Sequence, residues 1–82
     1  MHYVYLIRSK SDSSWYVGET SDLRRRLKEH NGGKNIVTRP KAPWELLYYE
    51  AFPTKRAALS SERKLKHHGK GLAELKKRIL VG

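Results

Sequence analysis

At 82 residues, with 18 Lys and Arg against 8 Asp and Glu, the chain has a net charge of +10 and no cysteine. That length holds one domain with one small core, and the missing cysteines exclude a disulfide framework or a thiolate metal centre. No apolar run reaches membrane-spanning length, and the strong positive field favours polyanions, nucleic acid foremost, because neutralised phosphates release counterions.

Tyr3-Val4-Tyr5-Leu6-Ile7 is β-branched and aromatic, which predicts a strand starting almost at the N-terminus. The first residues lack the charged lead and cleavage site of a secretory signal, so a cytoplasmic protein is expected. Residues 9–14 are polar and turn-like, and Trp15-Tyr16-Val17-Gly18 predicts a second strand, paired with the first as an antiparallel hairpin.

Thr20-Ser21-Asp22 supplies capping oxygens for a helix that runs through Leu23 and Leu27 to about His30. Asn31-Gly32-Gly33 predicts a left-handed cap at its end. A basic loop over 34–43 follows, ending in Pro40 and Pro43, and then a strand from Trp44 to Phe52. Pro53-Thr54 opens a second helix that continues to about His68. Residues 69–71, with two glycines, predict a break before a short third helix carrying Leu72, Leu75 and Ile79. The expected fold is α+β: a small three-stranded antiparallel sheet flanked by helices, in the order ββαβαα, as one domain over 1–82.

The residues that break this pattern carry the chemistry. Leu23 and Leu27 set the inner stripe of the first helix, and positions 26 and 30, which complete it, hold Arg26 and His30. In the second helix Ala58 and Leu65 bracket an inner stripe whose middle position is Glu62. Buried charge is costly unless it is paired or binds a metal. One explanation is an internal Arg26–Glu62 ion pair; the other is a site that uses both. Arginine presents a planar fork to phosphate, and a lone carboxylate together with substrate phosphate suits Mg²⁺. Tyr5 and Tyr16, on adjacent strands, are expected to share one sheet face. Adjacent His67 and His68 point in different directions on a helix and make a poor metal pair.

Taken in order, these blocks resemble the GIY-YIG nuclease superfamily, in particular its small single-domain bacterial members and the nuclease domain of the bacterial excinuclease. Val4-Tyr5-Leu6 resembles the first signature tripeptide, with Val4 where the family has glycine and Leu6 where it has an aromatic. Tyr16-Val17-Gly18 resembles the second. Residues 20–30, His30-Asn31-Gly32-Gly33, Pro43-Trp44-Glu45-Leu46 and Glu62-Arg63-Lys64-Leu65-Lys66 resemble later blocks. The resemblance implies that Tyr5 activates or positions the attacking water and that Tyr16 lies near the scissile phosphate. It implies that Arg26 stabilises phosphate charge, that His30 relays a proton, that Glu62 ligates the metal and that Gly18 permits close approach of backbone and substrate.

The expectation is an Mg²⁺- or Mn²⁺-dependent endonuclease that hydrolyses phosphodiester bonds in DNA, or in RNA, with a structure-specific or repair-related role. Lys34, Arg39, Lys41, Arg63 and Lys66 would hold the nucleic-acid backbone without reading sequence. The alternative is a catalytically weak nucleic-acid-binding module on the same fold.

Overall fold

The computed structural model describes residues 1–67 and 69–81. Strands β1 (His2–Ser9), β2 (Trp15–Thr20) and β3 (Trp44–Phe52) form one antiparallel sheet in the order β2-β1-β3, with helices α1 (Leu23–Asn31), α2 (Lys55–His67) and α3 (Gly69–Val81). The expected order ββαβαα is the one observed.

The sequence of β1 explains its central position. Its middle, Val4-Tyr5-Leu6-Ile7, is buried at every residue, so it is covered on both faces and reads as an unbroken apolar run rather than an alternation. Val4 and Leu6 point to one face, where they pack with Val17, Ala58 and Leu75 from β2, α2 and α3. Tyr5 and Ile7 point to the other, where Trp44, Tyr16, Leu23 and Leu27 complete a second cluster under α1. The sheet thus separates two half-cores, and the residues expected to carry chemistry on β1 and α1 belong to the second. The register between β1 and β3 shifts between Leu6 and Ile7, where Leu6 faces Tyr48 and Ile7 faces Leu46.

The helix starts follow their capping residues. Asp22 accepts a hydrogen bond from the Arg25 backbone N–H at 3.0 Å, and Thr54 accepts one from that of Ala57 at 3.1 Å. The expected left-handed cap of α1 is present: Gly32 closes the helix with φ −85° and Gly33 follows at +79°. Two local expectations are corrected. The expected break between α2 and α3 comes before Gly69 and not across 69–71: both glycines lie in the first turn of α3, where backbone N–H groups have no helical partner to lose. The third helix is also not short, having 13 residues like α2. The loop after α1 contains one 3-10 turn, Arg39–Lys41. His67 closes α2, and His68 lies outside the described residues.

Candidate active site

Tyr5 lies mid-strand beneath the last turn of α1. Its hydroxyl is 2.8 Å from His30 Nε2, and His30 Nδ1 is 2.8 Å from Thr38 Oγ1. All three residues are at most 2% exposed. The Tyr16 ring packs edge-on against His30, with centroids 5.2 Å apart, and lies 6.5 Å from the Tyr5 ring. Tyr5 and Tyr16 therefore share one sheet face, as expected. Burial, together with the Arg26 charge and against the opposing charge of Glu29, lowers the pKa of His30 to about 4. The imidazole is neutral at pH 7, with one N–H and one lone pair to place.

Other charges act on the same phenol. Burial raises the Tyr5 pKa to about 12; the Arg26 guanidinium pulls the other way, while Tyr16 and Glu62 add to the rise. Proximity to the Tyr5 hydroxyl is in turn the main reason that Arg26 is held above its ordinary pKa. Arg26 from α1, Tyr16 from β2 and Glu62 from α2 therefore act electrostatically on one hydroxyl of β1.

Of the three polar groups expected on inner helix faces, only His30 is enclosed. Arg26 flanks the Leu23–Leu27 stripe; its side chain is 33% exposed and its Nη1 donates to Glu29 Oε1 at 3.0 Å. Glu62 is more protected, at 19%, and pairs with Lys66 at 3.2 Å. The internal Arg26–Glu62 pair is therefore not formed: each group takes a partner within about one turn of its own helix. Although α2 packs on the opposite sheet face, its later turns reach the free edge of β2, where the Lys66 ammonium stands 5.5 Å from the centre of the Tyr16 ring.

Gly18 faces Tyr5 directly in the β1–β2 ladder. A Cβ at Gly18 would fall on the Tyr5 phenol, so the glycine makes room for that ring. Lys34, Arg39 and Arg63 are expected phosphate contacts, and all three are exposed, the first two on the loop after α1 and the third on α2. Lys41 donates to Ser14 Oγ at 3.0 Å and pairs with Asp12 at 3.4 Å. Thr38 is the site residue that sequence reasoning missed. A threonine inside a basic loop has no periodic signal, and its burial arises because the loop folds back over α1.

Among the described residues no group of three or more His, Cys, Asp or Glu side chains is gathered to hold a metal. The donor set is instead a single protected carboxylate, Glu62, beside the tyrosines. That suits a hard cation that keeps several waters and takes further oxygens from a substrate phosphate.

Comparison with known proteins gives concordant results. Residues 1–76 match the model of the GIY-YIG catalytic domain. The chain is 40% identical over 81 residues to the UPF0213 protein YazA of Bacillus subtilis, covering 98% of this chain and 77% of that protein. It is 44% identical over 68 residues to the UPF0213 protein HQ_3675A of Haloquadratum walsbyi, covering 82% and 75%. The solution NMR structure of the UPF0213 protein BH0048 from Bacillus halodurans superposes with a TM-score of 0.58 at 38% identity, over 95% of this chain and 85% of that one.

Proposed function

Because the chain belongs to the GIY-YIG catalytic-domain family, we propose that it is a divalent-metal-dependent endonuclease that hydrolyses phosphodiester bonds in DNA. The observation that carries this reading is the convergence on the Tyr5 hydroxyl: His30 bonds to it, and the charges of Arg26 and Glu62 both act on it.

Hydrolysis of a phosphodiester needs a positioned water, a counter-charge for the growing charge on phosphorus and stabilisation of the departing oxygen. Tyr5 Oη orients the water and passes its own proton to the neutral His30 imidazole, 2.8 Å away, as it accepts the water's proton while the new P–O bond forms. With a pKa of about 12 the phenol is a poor acceptor in the free protein, so positive charge must gather around it when substrate binds. Arg26 supplies one such charge and faces the phosphate with a bidentate fork. Glu62 would hold the divalent cation, Mg²⁺ or Mn²⁺, whose chemistry when bound is to neutralise phosphate charge and favour loss of the leaving oxygen. Tyr16, half-buried at the sheet edge, borders the same space. Lys34, Arg39 and Arg63, with Lys41 and Lys66, offer the phosphate backbone contacts that are independent of sequence.

The test is incubation with flapped, branched, nicked and linear DNA, and with RNA, in Mg²⁺, Mn²⁺ or EDTA. Cleavage that requires the metal and Glu62 supports the proposal. Binding without cleavage of any substrate under any metal supports the rival binding module.

A further inference from the structure

We propose that the loop tip Ile36-Val37 is an apolar wedge that enters an interrupted base stack, so that the preferred partner is DNA with an open step: a flap, branch, nick or bulge. This deepens the nuclease reading and rests on it for the substrate being DNA.

The tip stands out by its exposure. Ile36 is 77% exposed and Val37 71%, side by side in the chain. Among the described residues the other exposed large apolar side chains, Met1, Tyr49 and Leu80, stand singly in the sequence. A single exposed apolar residue is ordinary surface, whereas an adjacent pair at a loop tip offers area for a partner to cover. The turn that presents the pair is closed by hydrogen bonds. Asn35 Oδ1 accepts from the backbone N–H groups of Val37 and Thr38, at 2.9 and 3.2 Å, and the Asn35 carbonyl accepts from that of Arg39 at 2.9 Å. Thr38, next to Val37, is buried: its hydroxyl is 2.8 Å from His30 Nδ1, and its carbonyl accepts from the Trp44 indole N–H at 2.9 Å. The turn is therefore anchored on its inner side and presents two aliphatic side chains on its outer side. A tip already ordered in this way loses little entropy on binding.

Charge selects the occupant. Residues 30–44 contain no Asp or Glu, and exposed Lys34 and Arg39 flank the tip. A second copy seated on the tip would bring these cations, and two net charges of +10, against each other. A polyanion that carries apolar surface inside its charges is nucleic acid, with phosphates outside and base faces within. In an unbroken duplex every base face is stacked, and entry must first break a stack. At a flap, branch, nick or bulge a step is already open, so the aliphatic pair can fill it while Lys34 and Arg39 take the flanking phosphates. Aliphatic side chains have no hydrogen-bonding groups, so the wedge reads the gap and not the base. The tip is also tied to the reaction centre. Thr38 reaches the Tyr5 hydroxyl through His30 by two hydrogen bonds of 2.8 Å, and successive Cα atoms are about 3.8 Å apart. A wedge one and two residues from Thr38 would hold the cleaved phosphate at a short, fixed offset from the open step.

The test measures binding in EDTA, so cleavage plays no part in it. The full chain is titrated by fluorescence anisotropy against matched intact, nicked, flapped and bulged duplexes, with 2-aminopurine beside the open step as a second reporter. Wild type should bind the open-step DNAs roughly ten-fold more tightly than intact duplex, and should raise 2-aminopurine fluorescence by unstacking that base. The double variant Ile36→Ser, Val37→Ser should keep its Tm and its affinity for intact duplex, and lose both the preference and the fluorescence rise. The double variant Ile36→Leu, Val37→Leu should retain both. Lys34→Ala should weaken binding to all four DNAs alike. Equal wild-type affinity for intact and open-step DNA overturns the proposal and leaves the nuclease reading standing, as does a serine variant that keeps the preference. The proposal also falls if the serine substitutions leave DNA binding unchanged but abolish sedimentation with phosphatidylserine vesicles or convert a dimer to a monomer. A protein that shows the preference and cuts none of these DNAs in Mg²⁺ or Mn²⁺ refutes the nuclease reading and leaves the wedge intact.

Discussion

Gly18 and Tyr5 are direct partners across the β1–β2 ladder, and the absent side chain of one is the space that the phenol of the other fills. Gly18→Ala should therefore damage function through Tyr5. Overpacking of this kind costs about 1–3 kcal/mol. A displacement near 1 Å of a reacting group lowers a rate by roughly 100-fold. The expected variant is folded, with a lower Tm, and cleaves at least ten-fold more slowly, with DNA affinity retained. Circular dichroism melting and single-turnover kinetics check this. Unchanged kinetics would mean that the phenol does not need its observed position.

The neutrality of buried His30 predicts how stability depends on pH. Its folded pKa of about 4 lies below the 6.5 of an unperturbed imidazole. Between those values the unfolded chain binds a proton that the native state refuses, so stability falls as pH drops from about 6.5 to about 4. The full shift corresponds to roughly 3 kcal/mol. Asp12, whose carboxyl is held at about 2 chiefly by Ser14, acts in a lower window, between 3.8 and about 2. Denaturant melts from pH 8 to pH 4 should show the loss in wild type and a much smaller one in His30→Gln. Parallel curves would assign the loss to other groups.

How much of this is legible in the sequence depends on how local each signal is. The strands, the two caps and the inner stripe of Leu23, Leu27 and His30 follow from period and capping residues alone. Gly69 and Gly71 mark the junction of the last two helices but mislead about where the third begins, because glycine breaks a helix interior but costs little in a first turn. The partners of Arg26 and Glu62 are equally hidden. Helical spacing places both toward the sheet, but Glu29 at i+3 and Lys66 at i+4 lie closer than any group across the sheet. Thr38 gives no signal because loop closure, not periodicity, buries it. The Gly18–Tyr5 pairing requires the strand register.

Glu62 should be dispensable for folding and required for cleavage. Its pair with Lys66 is an i,i+4 contact worth about 0.3–0.5 kcal/mol. Glu62→Gln keeps the shape and removes the charge that would hold the cation. The expected protein has a Tm within a few degrees of wild type, binds DNA and does not cleave in Mg²⁺. Full activity of this variant would remove Glu62 as the metal ligand.

Binding itself should be electrostatic. With a net charge of +10 and exposed cations on the loop and on α2, log affinity should fall linearly with log salt concentration. Random-sequence DNA should compete as well as any chosen sequence of the same structure. Fluorescence anisotropy over a salt series measures this, and a flat dependence would point to base readout instead.

Arg26 separates catalysis from folding most cleanly, because the structure removes the buried-pair explanation. Its salt bridge is to Glu29, both side chains are about one-third exposed, and such pairs contribute about 0–1 kcal/mol. Arg26→Ala should therefore lower Tm only slightly. Its charge nevertheless acts on the Tyr5 hydroxyl and opposes the rise caused by burial. Removing it takes away both a counter-charge for the phosphate and a cation that eases deprotonation of the phenol. Loss of one preorganised group of this kind typically costs about 2.7–4 kcal/mol in the transition state, so the single-turnover rate should fall by roughly 100-fold or more. The same substitution should raise the Tyr5 pKa further, shifting the rising limb of the pH–rate profile to higher pH. Arg24 and Arg25 lie on the outer side of α1, and their alanine variants should weaken binding at higher salt without that shift. If Arg26→Ala melts far below wild type, or cleaves no more slowly than Arg25→Ala, Arg26 is structural and the counter-charge must come from elsewhere.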